Sequence, residues 1–203
     1  MFAAIKQAWH KRQLRDPAFS FLFDPPPKEE WVSVDCETTG LDVRNDYIIS
    51  IGAVKIRGQE ILTSERFEVL VRPECAVSAE SVAVHRLRPM DVAQGQLAAE
   101  AVAAFLRFVG SRPLVGYYLE FDVAMLNKHV KPLLGFGLPQ AKIEVSGLYH
   151  DYKLKQNPER FVDLRFDILL NELEIPLRDQ HDAFNDALLA AMAYVKLRHL
   201  GMR

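Results

Sequence analysis

Between Trp31 and Val71 the chain presents three runs rich in β-branched residues, WVSVD, YIISIGAVKI and ERFEVLV. Only short polar or glycine-bearing stretches around Gly40 and Gly58 separate them. Connections this short join neighbouring strands, so the three runs read as a meander that opens a mixed sheet. Beyond Pro89 the apolar period lengthens. Leu97, Ala101, Ala104, Phe105 and Phe108 recur at helical spacing, RPLVGY reads as a short buried strand, and FDVAMLNKHVKPL as a helix with Val123, Leu126 and Val130 on one face. IEVSGLY reads as a further strand, and Leu164, Ile168 and Leu169 as a helical stripe ending before Pro176. A long terminal helix runs from Ala183 to Leu200, with Leu188, Ala191 and Val195 on one face. A strand meander followed by alternating helices and strands predicts an α/β layered domain.

Residues 1–29 differ in character from the rest of the chain. A short basic amphipathic segment with Lys6, His10, Lys11, Arg12 and Arg15 leads into Asp24-Pro25-Pro26-Pro27. Three prolines end a helix and stiffen a connector, so the expected division is an N-terminal helical arm, 1–29, and a domain, 30–203. At 203 residues the chain is long enough for a core without staples. Its net charge of −2 leaves no bulk basic field, so any nucleic-acid contact must come from a local groove. Two cysteines, Cys36 and Cys75, are too few for a disulfide framework and suit a reducing cytoplasm. No apolar run approaches the ~20 residues of a membrane span, and the first residues lack the apolar stretch of a signal peptide. A cytoplasmic protein without membrane contact is expected.

Acids fall at telling places in otherwise apolar elements. Asp35 closes the first strand, and Glu37, two residues on, projects from the same side if the chain stays extended. Asp122 opens the helix after RPLVGY. Asp186 lies in the first turns of the terminal helix, five residues after His181. Singly, each acid has a structural reading as a turn former or as an acid favoured by a helix N-terminus. Together, four carboxylates in a partly buried site need a counter-charge, and oxygen ligands of this kind suit Mg²⁺ or Mn²⁺.

The spacing also matches a known pattern. Val34-Asp35-Cys36-Glu37-Thr38-Thr39-Gly40-Leu41 resembles the first motif of the DEDD exonuclease superfamily, and Phe121-Asp122 with Leu126 resembles the second. His181-Asp182-Ala183-Phe184-Asn185-Asp186-Ala187 resembles the third in its HxAxxDA form. The chain is therefore similar to DnaQ-like 3′–5′ exonucleases of the DEDDh branch, from Trp31 to about Leu200. The resemblance implies an RNase-H-like αβα fold with a mixed five-stranded sheet and two-metal phosphodiester hydrolysis. It also implies that Asp35, Glu37, Asp122 and Asp186 hold two divalent cations, Mg²⁺ or Mn²⁺. His181 would serve as general base, since a neutral imidazole can take a proton from the attacking water near neutral pH.

For the substrate, a nucleic acid with a free 3′ end, the resemblance points to Thr38, Thr39 and Leu41 beside the terminal nucleotide. It also points to His85 of Val84-His85-Arg86-Leu87, where Arg86 replaces a usual glycine, and to Phe121. Tyr117-Tyr118 stands where the family often has His-Asn, and Glu144 replaces a frequent Asp. These tyrosines can stack on bases or pack at a strand end. Lys153, Lys155, Arg160 and Arg165, interleaved with Tyr152 and Phe161, form either a phosphate-positioning groove or a solvated loop. An exoribonuclease trimming RNA 3′ ends and a non-catalytic nucleic-acid-binding module are the alternatives, the latter disfavoured because all five signature residues are present. A second copy of the chain or a polymerase-type protein is the expected protein partner.

Overall fold

The structure, a computed structural model, describes residues 11–159, 161–176 and 181–202. Strands β1 (Glu30–Thr38), β2 (Ile48–Arg57) and β3 (Glu60–Leu70) form the antiparallel meander. β4 (Leu114–Gly116) pairs in parallel with β1, and β5 (Lys142–Glu144) in parallel with β4. The result is a mixed five-stranded sheet in the order β3-β2-β1-β4-β5. The helices are α1 (Ala79–His85), α2 (Pro89–Val92), α3 (Ala98–Val109), α4 (Leu119–Leu134), α5 (Val145–Gln156), α6 (Phe166–Glu172) and α7 (Ala183–His199).

Alternation along β1 divides the protein into two cores. Val32, Val34 and Cys36 face α3 and α4, where Phe105, Leu106, Met125 and Leu126 are buried. On the other side of the sheet, Val54, Ile56 and Val115 pack with Tyr149 of α5, Leu169 of α6 and Leu189 and Tyr194 of α7. Trp31 of β1 also packs on this side, with its ring edge-on to Tyr194 at 5.4 Å. The sheet is thus covered on both faces, the αβα layering expected.

Helix α7 is the element that closes the site. Its buried positions include every residue from Ala187 to Ala191, because α5 covers the side turned away from the sheet. The single apolar face expected from Leu188, Ala191 and Val195 is therefore too narrow a description. Small residues let this helix sit close to the strands, and Gly52 of β2 completes the fit. A Cβ there would collide with the Ala183 backbone and the Phe184 amide nitrogen.

Two other sequence expectations change. IEVSGLY is a strand only to Glu144, whose carboxylate accepts the Ser146 N–H at 3.1 Å and starts α5. The deciding period is Val145, Tyr149 and Lys153, all buried at four-residue spacing on that helix. The described part of the N-terminal segment packs into the domain. Residues 11–13 are helical, and Asp16 caps a 3₁₀ segment, Pro17–Phe23, by accepting the Ala18 N–H. Phe19 and Leu22 are buried in the α3–α4 core, Arg107 lies over the Phe19 ring, and Arg15 N–H donates to the Leu134 carbonyl. The triple proline links two parts of one core and does not separate two units. Lys6 and His10 lie outside the described residues.

Truncating Phe19 to Ala therefore removes a core side chain. It should cost roughly 3–5 kcal/mol, the usual range for a buried aromatic. Urea unfolding checks this, and a loss under 1 kcal/mol would show the segment to be peripheral.

Candidate active site

β1 carries Asp35 and Glu37 on the face turned toward α7, while Cys36 between them is buried on the opposite face. The register pairs Asp35 with Gly52, the residue against which α7 begins. The same close approach brings Asp186, in the first turn of α7, to the end of β1. Carboxylate oxygens of Asp35, Glu37 and Asp186 all lie within 4.8 Å of one another. Asp122, in the first turn of α4, stands on the other side of β1, 4% exposed, with Oδ1 accepting the Cys36 N–H at 3.0 Å. The four acids thus divide into a tight group of three and a fourth anchored to the strand backbone.

Desolvation dominates their electrostatics. Burial pushes Asp35 well above the usual carboxylate range, and the charges of Asp122, Asp186 and Glu37 push it further. Glu37 is raised to about 7 by burial, then by Asp186 and Asp182. Burial also raises Asp122 and Asp186, against the hydrogen bonds each accepts from backbone N–H groups.

His181 sits just before α7 in a left-handed backbone conformation, φ 64°. Its N–H donates to Asp186 Oδ2 at 3.0 Å, leaving the ring exposed at the wall of the cleft. Strain of this kind persists where surrounding contacts over-determine it, here the Asp186 bond and the Asp182 cap on the Asn185 N–H.

The acids open into a cleft of about 630 Å³. Thr38, Thr39, Leu41, His85, Tyr117 and Phe121 all line it, yet their free surfaces differ. Thr38 Oγ1 donates to the Gly40 carbonyl, and Thr39 Oγ1 donates to Asp46 and accepts the Tyr47 N–H, so both hydroxyls hold the turn. His85 is buried, with Nδ1 accepting the Leu87 N–H and Nε2 on Ser81 Oγ. Tyr117 stacks on Phe166 at 4.3 Å and donates to the Leu164 carbonyl. Leu41, 82% exposed, and Tyr118, 66% exposed with its ring parallel to that of Phe121, are the open apolar surfaces. Tyr118 is thus the freer tyrosine of the pair, which their adjacency in sequence could not reveal.

The described cations of the basic stretch find separate partners. Lys153 is buried against Glu172, Lys155 reaches Met202 Sδ, and Arg165 pairs with Asp163; Arg160 lies outside the described residues. Among the described residues no Lys or Arg lines the cleft.

Residues 32–194, from β1 through most of α7, match the family model RNase_T, described as exonuclease. The chain belongs to the RNase T exonuclease family. A DNA polymerase III PolC-type protein of Caldanaerobacter subterraneus subsp. tengcongensis is 31% identical over 168 residues, 83% of this chain and 11% of that protein. The chain thus spans about a tenth of the length of that relative. DNA polymerase III subunit epsilon of Aquifex aeolicus is 27% identical over 175 residues, 82% of this chain and 79% of the subunit. In fold, E. coli ExoI in its ssDNA complex superimposes with a TM-score of 0.71 at 15% identity, over 86% of this chain and 41% of that one. The fold is RNase-H-like, as the motifs implied.

Divalent metals, typical of the RNase T exonuclease family, fit these residues. Asp186 Oδ1 is buried and has no hydrogen-bond partner among the described residues, although Oδ2 of the same carboxylate is engaged. An acceptor stripped of water, beside two more carboxylates, calls for a cation. Asp35, Glu37 and Asp186 would hold one.

The charge imbalance has a measurable consequence without metal. Because these acids are raised in the fold, the unfolded chain ionises first as pH climbs from about 4. The metal-free fold therefore loses stability as pH rises, the part due to Glu37 until that group ionises in the fold at about 7. In EDTA, Asp35→Asn should melt higher than the unaltered protein at pH 8 and gain much less at pH 4. Mn²⁺ should raise the Tm of the unaltered protein and raise that of Asp35→Asn far less. Equal Mn²⁺ responses would contradict the site.

Proposed function

We propose that this chain is a metal-dependent 3′–5′ exonuclease of the DEDDh type, releasing nucleoside 5′-monophosphates from free 3′ ends of nucleic acid, single-stranded or frayed DNA first. The observation that carries the reading is the convergence of Asp35, Glu37 and Asp186 within 4.8 Å beside an exposed His181 at the wall of one cleft. The PolC-type and epsilon relatives favour DNA over RNA and a polymerase-type protein partner.

Bound Mg²⁺ or Mn²⁺ ions would neutralise the charge that develops on the phosphoryl oxygens. The chain's own groups do the rest. Asp35 would help hold both ions, Glu37 and Asp186 one of them, and Asp122 the other. His181 takes the proton of the attacking water, whose oxygen bonds to phosphorus as the bond to the 3′ oxygen breaks. The 3′ oxygen of the departing strand takes a proton from solvent to become its new 3′ hydroxyl, and the exposed imidazole gives up the proton it took to solvent. Leu41 and the Tyr118–Phe121 pair offer apolar faces to bases, and a terminal nucleotide must leave its stack to reach them.

A 5′-labelled strand with Mn²⁺ should shorten stepwise from its 3′ end, faster when single than when paired, and a 3′-phosphate should block it. Asp35→Asn should abolish the reaction. Cleavage of closed circles or nucleotide release from 5′ ends would overturn the reading, and faster digestion of RNA would move it to an exoribonuclease. His181→Ala should lower turnover by roughly 10²–10⁴ with metal affinity retained. Loss of metal from that variant, measured by calorimetry, would make His181 a ligand and not a base.

A further inference from the structure

We propose that Glu144 is a positioning residue: it clamps the first turn of α4 from the end of β5 and so keeps Asp122 in place against β1. This inference rests on the metal-site reading above.

Helix α4 begins without a side-chain cap from its own N-cap residue, Tyr118, whose backbone is left-handed, φ 53°. The first N–H groups of a helix have no partner within it. Glu144 meets them from across the sheet, its Oε1 accepting the Tyr118 N–H at 3.1 Å and its Oε2 the Leu119 N–H at 2.8 Å. Oε1 also takes the Ser146 N–H at 3.1 Å and the Ser146 hydroxyl at 2.8 Å, where α5 begins. One carboxylate therefore ties the starts of two helices to the end of one strand. Its oxygens face four donors, so it is spent as a clamp and stands outside the metal-holding group.

Asp122 lies three residues after Leu119 in the same turn. Its own tie to β1 runs to Cys36, whose N–H donates to it. If the Tyr118 and Leu119 amides were released, that turn would fray and Asp122 would leave its register with the strand. Tyr118 is held by the same bonds, so its ring is aimed into the cleft by the same residue. A glutamine fails as a substitute, because its NH₂ would face one of the four donors. Aspartate keeps both oxygens and the charge.

The test compares Glu144→Ala, Glu144→Gln and Glu144→Asp with Arg112→Ala, which breaks the ion pair to Glu30 at the far end of β1. All are measured well below their Tm. In Glu144→Ala and Glu144→Gln, calorimetry should show Mn²⁺ binding weakened about 10-fold, the lower end of the range for groups that orient metal ligands. Hydrogen exchange at the Tyr118 and Leu119 amides should quicken in both. Turnover should fall with the raised Mn²⁺ requirement, and Glu144→Asp should regain most of each loss. Arg112→Ala should lower Tm and leave Mn²⁺ affinity and those amides unchanged. If Glu144→Ala bound Mn²⁺ as the unaltered protein does, or if Arg112→Ala weakened it equally, the positioning role would be overturned. Calorimetry and exchange need no turnover, so an absence of nuclease activity would count against the proposed function and not against the clamp.

Discussion

Four carboxylates held in one desolvated corner repel each other, and much of this structure consists of elements stiff enough to hold them there. Two come from one strand, where pleating sets Asp35 and Glu37 on a common face. The third, Asp186, arrives on a helix seated so close to β2 that Gly52 cannot carry a side chain. The fourth, Asp122, is pinned to the backbone of the strand between the first two acids. None of these placements is stabilising by itself, since burial raises each of the four above its ordinary pKa. The surrounding apolar packing sustains them, and the strain they store is relieved by a cation.

Helix starts carry much of the local compensation. Asp122 and Asp186 both lie in first turns, where unpaired N–H groups and the aligned peptide dipoles favour negative charge. Each accepts a backbone N–H, from Cys36 and from His181 respectively. The bond from His181 has a second effect, because it fixes the strained residue that presents the imidazole at the wall of the cleft. Position of the imidazole and orientation of one acid are thus a single event. Asp182, capping the same helix, keeps the turn from unwinding.

The cleft itself is unusual for a surface that would meet nucleic acid. Its described lining is acidic and aromatic, with no Lys or Arg. Attraction to a polyanion then rests on bound cations and on flat apolar faces, of which Leu41 and Tyr118 are the most open. Two basic side chains of the 153–165 stretch are engaged by acids of their own. Lys153 is buried against Glu172, and Arg165 is paired with Asp163.

What the sequence determined by itself is whatever depends on local period and spacing. Alternation in WVSVD placed Asp35 and Glu37 on one side and Cys36 on the other, and the gaps around Gly40 and Gly58 imposed a meander. The strings from Val34 to Leu41 and from His181 to Ala187 carried the metal-site acids and the histidine, because side chains near in sequence share a geometry that their own element sets. Tertiary structure alone decided whatever depends on which partners a side chain finds. Lys153 and Arg165 read as a groove until their acids were in view, and residues 1–29 read as an arm until Phe19 and Leu22 were seen in the core. Tyr117 and Tyr118 are neighbours in the chain, yet only packing against Phe166 makes the first a wall and leaves the second open. Glu144 is the extreme case: a strand-end acid becomes the cap of a helix that starts 25 residues earlier in the chain, because the parallel pairing of β4 and β5 brings their ends together.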